Sequence, residues 1–185
     1  ATTTIEALAA LLGVPAAKTE KAVLYMATDA HDASAAPEPV FVVVRGDMQV
    51  NEIKVRNYLA GVRGGSRDLR PMTDAEARSY GIVPGYASPI GIDGAVLVIA
   101  DLAAVQAPNL VAGANRADTH LRNVNHGRDW TTEHVLDLAL AEVGYGCPRC
   151  DGTLTAARGI EMGHVFRLGR IYSEAFDVKI GRAHV

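Results

Sequence analysis

Val40-Phe41-Val42-Val43-Val44-Arg45-Gly46-Asp47-Met48-Gln49-Val50-Asn51-Glu52-Ile53-Lys54 is the stretch whose reading decides the fold class. Its first five residues form an apolar, largely β-branched run of the length of a buried strand. Arg45-Gly46-Asp47 breaks that strand. Asn51 stands where an N-cap belongs, with a side-chain oxygen that can accept from the backbone N–H groups of the next turn. Val55, Leu59 and Val62 then fall on one face of a helix that Gly64-Gly65-Ser66 closes. A buried strand leading directly into an amphipathic helix predicts a chain of the α/β (α+β) class.

Outward from this stretch the same signals recur. Thr4 caps a helix with Ile5, Leu8 and Leu12 at i, i+3, i+7, which Gly13 ends. Ala22 to Ala27 reads as a strand and Thr28 to Pro39 as an exposed loop. Thr73-Asp74-Ala75-Glu76 fits a capping box for a short helix ending at Gly81. Strands are expected at Ala95 to Ala100, Leu110 to Ala114 and Thr119 to Val124. Thr131 or Thr132 is expected to cap a helix carrying Val135, Leu138, Leu140 and Val143 and closed by Gly144. Irregular alternation without repeats predicts a mixed sheet with helices packed outside.

The chain has 185 residues, 49% of them hydrophobic and only 5% aromatic, so Ala, Val, Leu and Ile build the core. Apolar runs such as Ala95 to Ala100 fall far short of the roughly 20 residues needed to span a bilayer, and no secretion signal opens the chain. A cytoplasmic protein with no membrane partner is the expectation. Net charge of −3 does not suit a generic nucleic-acid binder. Arg45, Lys54, Arg56, Arg63, Arg67 and Arg70 nonetheless form a local basic cluster, either a solvated surface or a set of phosphate contacts. Cys147-Pro148-Arg149-Cys150 has zinc-knuckle spacing, but a structural zinc needs four ligands. His164 is a candidate third and no fourth is evident, so no metal site is expected. His-Glu-x-x-His, Gly-x-Ser-x-Gly and phosphate-binding glycine loops are absent, which disfavours metalloprotease, serine hydrolase and nucleotide-hydrolase chemistry.

Several motifs, in order along the chain, resemble the editing domain inserted into bacterial prolyl-tRNA synthetases, a member of the YbaK-like aminoacyl-tRNA deacylase superfamily. Arg45 to Lys54 is similar to its lysine signature, and Gly85-Tyr86-Ala87-Ser88-Pro89 to its glycine-x-x-x-proline loop. Asn109 to Asn115, His120, and Asn123 to Asp129 resemble the next signature. Cys147 to Cys150 and Arg158 to Phe166 resemble the return into the synthetase's catalytic core. The resemblance covers about Thr4 to Phe176. It implies a curved, barrel-like mixed sheet with a substrate pocket at one side. It also implies an editing domain at 1–146 and an exit segment at 147–185, the chain being a piece of a longer enzyme.

On that resemblance Lys54 is the essential residue, holding the terminal adenosine's phosphate or polarising the ester. A compact ammonium near a helix N-terminus suits either task. The resemblance places Gly85, Ser88 and Pro89 in the substrate loop. Glycine there lets backbone amides approach a ligand, and proline stiffens the turn. The family's loop usually carries glycine before the proline, where this chain has Ser88. Asp101 and His120 align with positions that shape the pocket; their bland readings are a helix cap and a satisfied polar contact. Thr19 matches a family Lys-Thr pair, and here too a simple cap competes. Leu102 and His126 replace the Arg and Trp common in the family. Glu161 and His164 fall in the region that lines the synthetase's proline site, and residues 181–185 have no family counterpart.

The function implied is hydrolysis of the ester in mischarged alanyl-tRNA for proline. A site sized for proline rejects the smaller alanine weakly, by about 1–3 kcal/mol, so a second, smaller sieve is needed. The ester is already activated, so a positioned water and a stabilised oxyanion suffice, assisted by a tRNA ribose hydroxyl. No cofactor is expected for editing, with ATP and Mg serving only the full-length synthetase. Expected partners are the aminoacylated 3′ end of tRNA, the rest of the synthetase chain, and a second copy in a full-length homodimer. The alternatives are a non-catalytic tRNA-positioning or structural insertion, and a deacylase of another misacylated tRNA (Cys or Ser).

Overall fold

A computed structural model describes residues 4–32, 34–160, 162–165 and 169–177. Its elements are α1 (Ile5–Leu12), a 3-10 turn (Ala16–Lys18), β1 (Glu20–Asp29), β2 (Glu38–Arg45), α2 (Glu52–Arg63), β3 (Arg67–Pro71), α3 (Asp74–Ser79), β4 (Leu97–Asp101), α4 (Leu102–Gln106), β5 (Leu110–Gly113), β6 (His120–Val124), β7 (Val135–Leu136) and α5 (Ile171–Ala175). The chain divides into two compact units, Ala1–Ala141 and Glu142–Val185.

In the first unit a five-stranded sheet runs in the order β3-β1-β2-β4-β7. β1 is antiparallel to β2 and β3, whereas β2–β4 and β4–β7 are parallel. β5 and β6 form a separate antiparallel pair, linked to the start of β1 by a bridge between Thr19 and Val111. The architecture is the expected mixed α+β one.

β2 explains the layering. Val40 to Val44 are all fully buried, and strand geometry sends alternate side chains to opposite faces. Val40, Val42 and Val44 pack with Val55 and Leu59 of α2. Phe41 and Val43 pack with Ile82, Ala112, Val124 and Trp130 on the other face. Each fully buried Val or Phe contributes about 1.5–3 kcal/mol. α2 forms where Asn51 accepts the N–H groups of Ile53 and Lys54, at 3.0 and 3.4 Å. Thr73 and Glu76 make the expected capping box, and Thr4 and Gly13 bound α1.

The helix expected after Thr131 or Thr132 is not formed. That segment is extended, with β7 lying along β4. The Thr132 hydroxyl donates to the Val98 carbonyl at 2.6 Å, and the Ala100 N–H to the His134 carbonyl at 2.9 Å. The Leu140 N–H donates to the Gln49 carbonyl, and the Leu138 carbonyl accepts from the Asn51 N–H, both at 2.8 Å. Backbone groups that a helix would pair internally thus cover the otherwise open edge of β4. The apolar spacing misled because only Leu138 is fully buried; Val143 is 66% exposed. β3, which no sequence signal marked, and α4, anticipated only by the reading of Asp101 as a helix cap, complete the unit.

The second unit opens on a turn in which the Cys147 N–H donates to the Gly152 carbonyl at 2.8 Å, with Gly146 bridged to Thr153. α5 lies further along it. Glu161 and residues 181–185 lie outside the described residues.

Candidate functional site

Where β1 and β2 part at their Glu20–Arg45 end, the chain must make a close approach. The Gly46 N–H donates to the Thr19 carbonyl at 2.8 Å, and a Cβ on Gly46 would stand 1.9 Å from the Thr19 hydroxyl oxygen. Thr19 is fully buried, its hydroxyl donating to the Ala16 carbonyl at 2.8 Å. Above this floor lies a cleft of about 390 Å³. Its walls include Ile5, Glu6 and Leu8 of α1, Glu20 and Ala22 of β1, Gly85 to Ala87, Gly113 and His120.

The Gly85–Pro89 loop is held rigidly. Gly85 has φ +81°, a left-handed value that glycine takes without strain. Asn115 accepts from the Ser88 N–H at 3.0 Å and donates to the Ser88 and Ile90 carbonyls at 2.8 and 2.9 Å. Ser88 and Pro89 are buried behind the loop rather than presented to the cleft. Tyr86 donates its hydroxyl to Asp118 at 2.8 Å, a bond that raises the phenol above its usual range. Its ring meets His120 edge-on at a centroid distance of 5.4 Å. Burial lowers the His120 pKa, which favours the neutral ring. A Cβ on Gly113 would lie 2.2 Å from the Tyr86 carbonyl oxygen, so glycine is required for the loop to rest on β5.

Glu20 is the unexpected member. It is 7% exposed, lines the cleft, and neither carboxylate oxygen has a hydrogen-bond partner among the described residues. Burial pushes its pKa up to about 8.

Lys54 lies elsewhere. α2 covers the sheet face opposite β5 and β6, and Lys54 is not among the cleft walls. Its ammonium donates to Asp137 at 2.8 Å and to the Ala139 carbonyl at 2.9 Å, leaving the side chain 35% exposed. Asp101 supports this arrangement. One of its carboxylate oxygens caps α4 through the Ala103 N–H at 2.8 Å. The other accepts from the Leu138 and Ala139 N–H groups, at 2.8 and 3.0 Å. Asp101 is 2% exposed and does not line the cleft.

Of the residues singled out in the sequence, Gly85 and His120 meet in the cleft. Ser88, Pro89 and Thr19 lie behind its walls, and Lys54 and Asp101 converge on Ala139. The basic cluster is largely neutralised: Arg45 pairs with Asp47, Arg63 with Glu38, Arg67 with Asp29 and Arg70 with Glu76. Cys147 and Cys150 are free thiols. Hydrogen bonds from the Arg149 N–H and from Cys150 lower the Cys147 pKa. Among the described residues no three His, Cys, Asp or Glu side chains are grouped to hold a metal ion. Nor is any described helix long and apolar enough to cross a membrane. Sequence reasoning did not single out Glu20, for which an acidic residue opening an apolar strand was the available signal; Gly113 and Asn115 entered only as members of the Asn109 to Asn115 motif, with no role assigned.

The family model for the aminoacyl-tRNA editing domain matches residues 1–129. A proline--tRNA ligase of Salinispora tropica is 47% identical over 178 residues, covering 96% of this chain and 29% of that protein. One from Dehalococcoides mccartyi is 43% identical, covering 94% of this chain and 28% of its own. The chain thus spans under a third of the length of these curated relatives. A solved structure described as a candidate trans-editing enzyme for prolyl tRNA synthetase superposes with a TM-score of 0.55 at 17% identity, over 76% of this chain and 82% of that one. At that identity the likeness concerns the fold.

Proposed function

The chain belongs to the aminoacyl-tRNA editing domain family, and from that premise we propose that it hydrolyses the ester of mischarged alanyl-tRNA for proline. The observation that carries the reading is the cleft of about 390 Å³, bounded by Gly85 to Ala87, Gly113 and His120. That volume lies toward the small end of ligand sites. Among the described residues no Ser or Cys lines it, and the Thr4 and Tyr86 hydroxyls are engaged with the Ala7 N–H and with Asp118. Hydrolysis therefore proceeds by direct attack of water on the activated ester, assisted by a ribose hydroxyl of the substrate. Alanine fits against the braced loop; the larger proline ring is refused.

Lys54 serves the nucleic-acid side. Two of its three N–H donors are held by Asp137 and Ala139, and the third is offered to a phosphate near the terminal adenosine. In the whole enzyme the domain works beside a ligase core that uses ATP and Mg, within a homodimer. The exposed Ile160 and Met162, at 90% and 95%, fit a segment covered by that core.

The test is a panel of tRNAs charged with alanine, cysteine, serine and proline. Hydrolysis of the alanyl ester alone supports the reading, and preference for another ester changes the specificity. The second reading, a tRNA-positioning module without hydrolysis, draws on the pairing of Lys54 with Asp137 outside the cleft. Binding of tRNA with every ester left intact would favour it.

A further inference from the structure

Glu20 has no part in the reaction outlined above, yet its position is costly. A carboxyl group buried without a partner is destabilising, and such groups are concentrated where a ligand supplies the missing partner. It opens β1, on the strand face shared by Ala22 and Leu24, which pack on the cleft side of the sheet.

The charged and titratable groups around it have other engagements. Lys21, its neighbour on β1, donates to Gln49 at 2.6 Å. Arg45, opposite it on β2, is forked onto Asp47 at 2.6 and 2.9 Å. His120 of β6 meets the Tyr86 ring edge-on, burial favouring its neutral form, and Tyr86 is bonded to Asp118. Glu6 of α1 adds a second acid to the wall. Lys21 also lines the cleft, but its ammonium is held by Gln49, so Glu6 and Glu20 are the groups there that can receive a cation.

We propose that Glu20 receives the α-ammonium group of the aminoacyl ester, making the cleft selective for substrates with a free amine. The inference rests on the deacylase reading and deepens it. An aminoacyl ester carries one cation, attached to the carbon next to the reacting carbonyl. Pairing it with a buried carboxylate fixes that carbon, so the side chain and the ester take the two remaining directions. Substrates acylated on nitrogen, such as peptidyl-tRNA, lack the cation and leave Glu20 without a partner. Because burial keeps Glu20 protonated at pH 7, forming the ion pair expels its proton to solvent.

The experiment is calorimetric titration at pH 7, in two buffers of different ionisation enthalpy, with a stable amide analogue, 3′-alanylamino-3′-deoxyadenosine, and its N-acetyl form. Wild-type protein is expected to bind the free amine at least tenfold more tightly than the acetylated form, releasing a large fraction of one proton. Glu20→Gln is expected to lose that preference and the proton release while binding the acetylated form as before. Equal wild-type binding of the two forms, no binding of the free amine, or an unchanged preference in Glu20→Gln would overturn the inference. Ester hydrolysis is assayed separately. Amine-selective binding without turnover would defeat the hydrolase reading and leave the amine site standing.

Discussion

Lys54 and Asp101 grip the same residue from its two sides: the lysine ammonium donates to the Ala139 carbonyl at 2.9 Å, and the aspartate accepts from the Ala139 N–H at 3.0 Å. The two residues come from α2 and the end of β4, and the segment between them is extended chain with no helix of its own. Asp101 thereby acts at a distance on where the Lys54 ammonium sits.

Asp101→Ala should be strongly destabilising. It strands three backbone N–H donors, those of Ala103, Leu138 and Ala139. At about 1–3 kcal/mol for each buried group left unsatisfied, and with some relaxation, a loss of roughly 3–5 kcal/mol is expected. Urea denaturation measures it; a loss below 1 kcal/mol would show that the carboxylate does not hold the segment.

Lys54→Ala should separate activity from stability. Its ion pair with Asp137 is solvent-exposed, so folding should change by no more than about 1 kcal/mol. Alanyl-tRNA hydrolysis should fall to background. Retained turnover in a folded variant would remove Lys54 from the mechanism.

Glu20 predicts an unusual dependence of stability on pH. Its folded-state value of about 8 lies above the ordinary carboxylate value of 4.5. Below 4.5 both states hold the proton. Between 4.5 and 8 the unfolded chain releases it and the folded chain keeps it, so stability falls as pH rises and levels off above 8. Glu20→Gln should therefore gain little near pH 4.5 and on the order of 2–4 kcal/mol at pH 8. An equal gain at both pH values would contradict the buried, unpaired state of the group.

Loosening the loop should relax the sieve. Asn115→Ala removes the brace on Ser88 and Ile90 without touching the cleft walls. Prolyl-tRNA hydrolysis is expected to rise relative to alanyl-tRNA. Variants that lose alanine activity and never gain proline activity would count against selection by size.

Chelator should leave alanyl-tRNA hydrolysis intact, even if an ion held by Cys147 and Cys150 were stripped. Activity abolished by chelator and restored by zinc would require a metal in the mechanism.

Local signals carried much of this fold. Thr4, Asn51 and Thr73 cap helices because their side-chain oxygens meet N–H groups two or three residues away, and such pairings are written in adjacent sequence. The Thr131–Val143 segment was misread because its backbone partners, Val98, Asp101 and Gln49, lie more than 30 residues away. The site divided the same way. Gly85 and His120 were legible through the motifs they belong to. That Asp101 faces Ala139, that Gly113 supports Tyr86, and that Glu20 lacks a hydrogen-bond partner among the described residues are facts of long-range packing.

β2 is buried on both faces, and one consequence concerns how the molecule can change. Phe41 and Val43 report to the side of the cleft, and Val42 and Val44 to the helix that carries Lys54. A methyl group trimmed at Val43 would thin the packing on the cleft side; trimmed at Val44, it would thin the packing under α2. The strand is a party wall between two rooms, so a change that reshapes the cleft need not disturb the helix that carries Lys54.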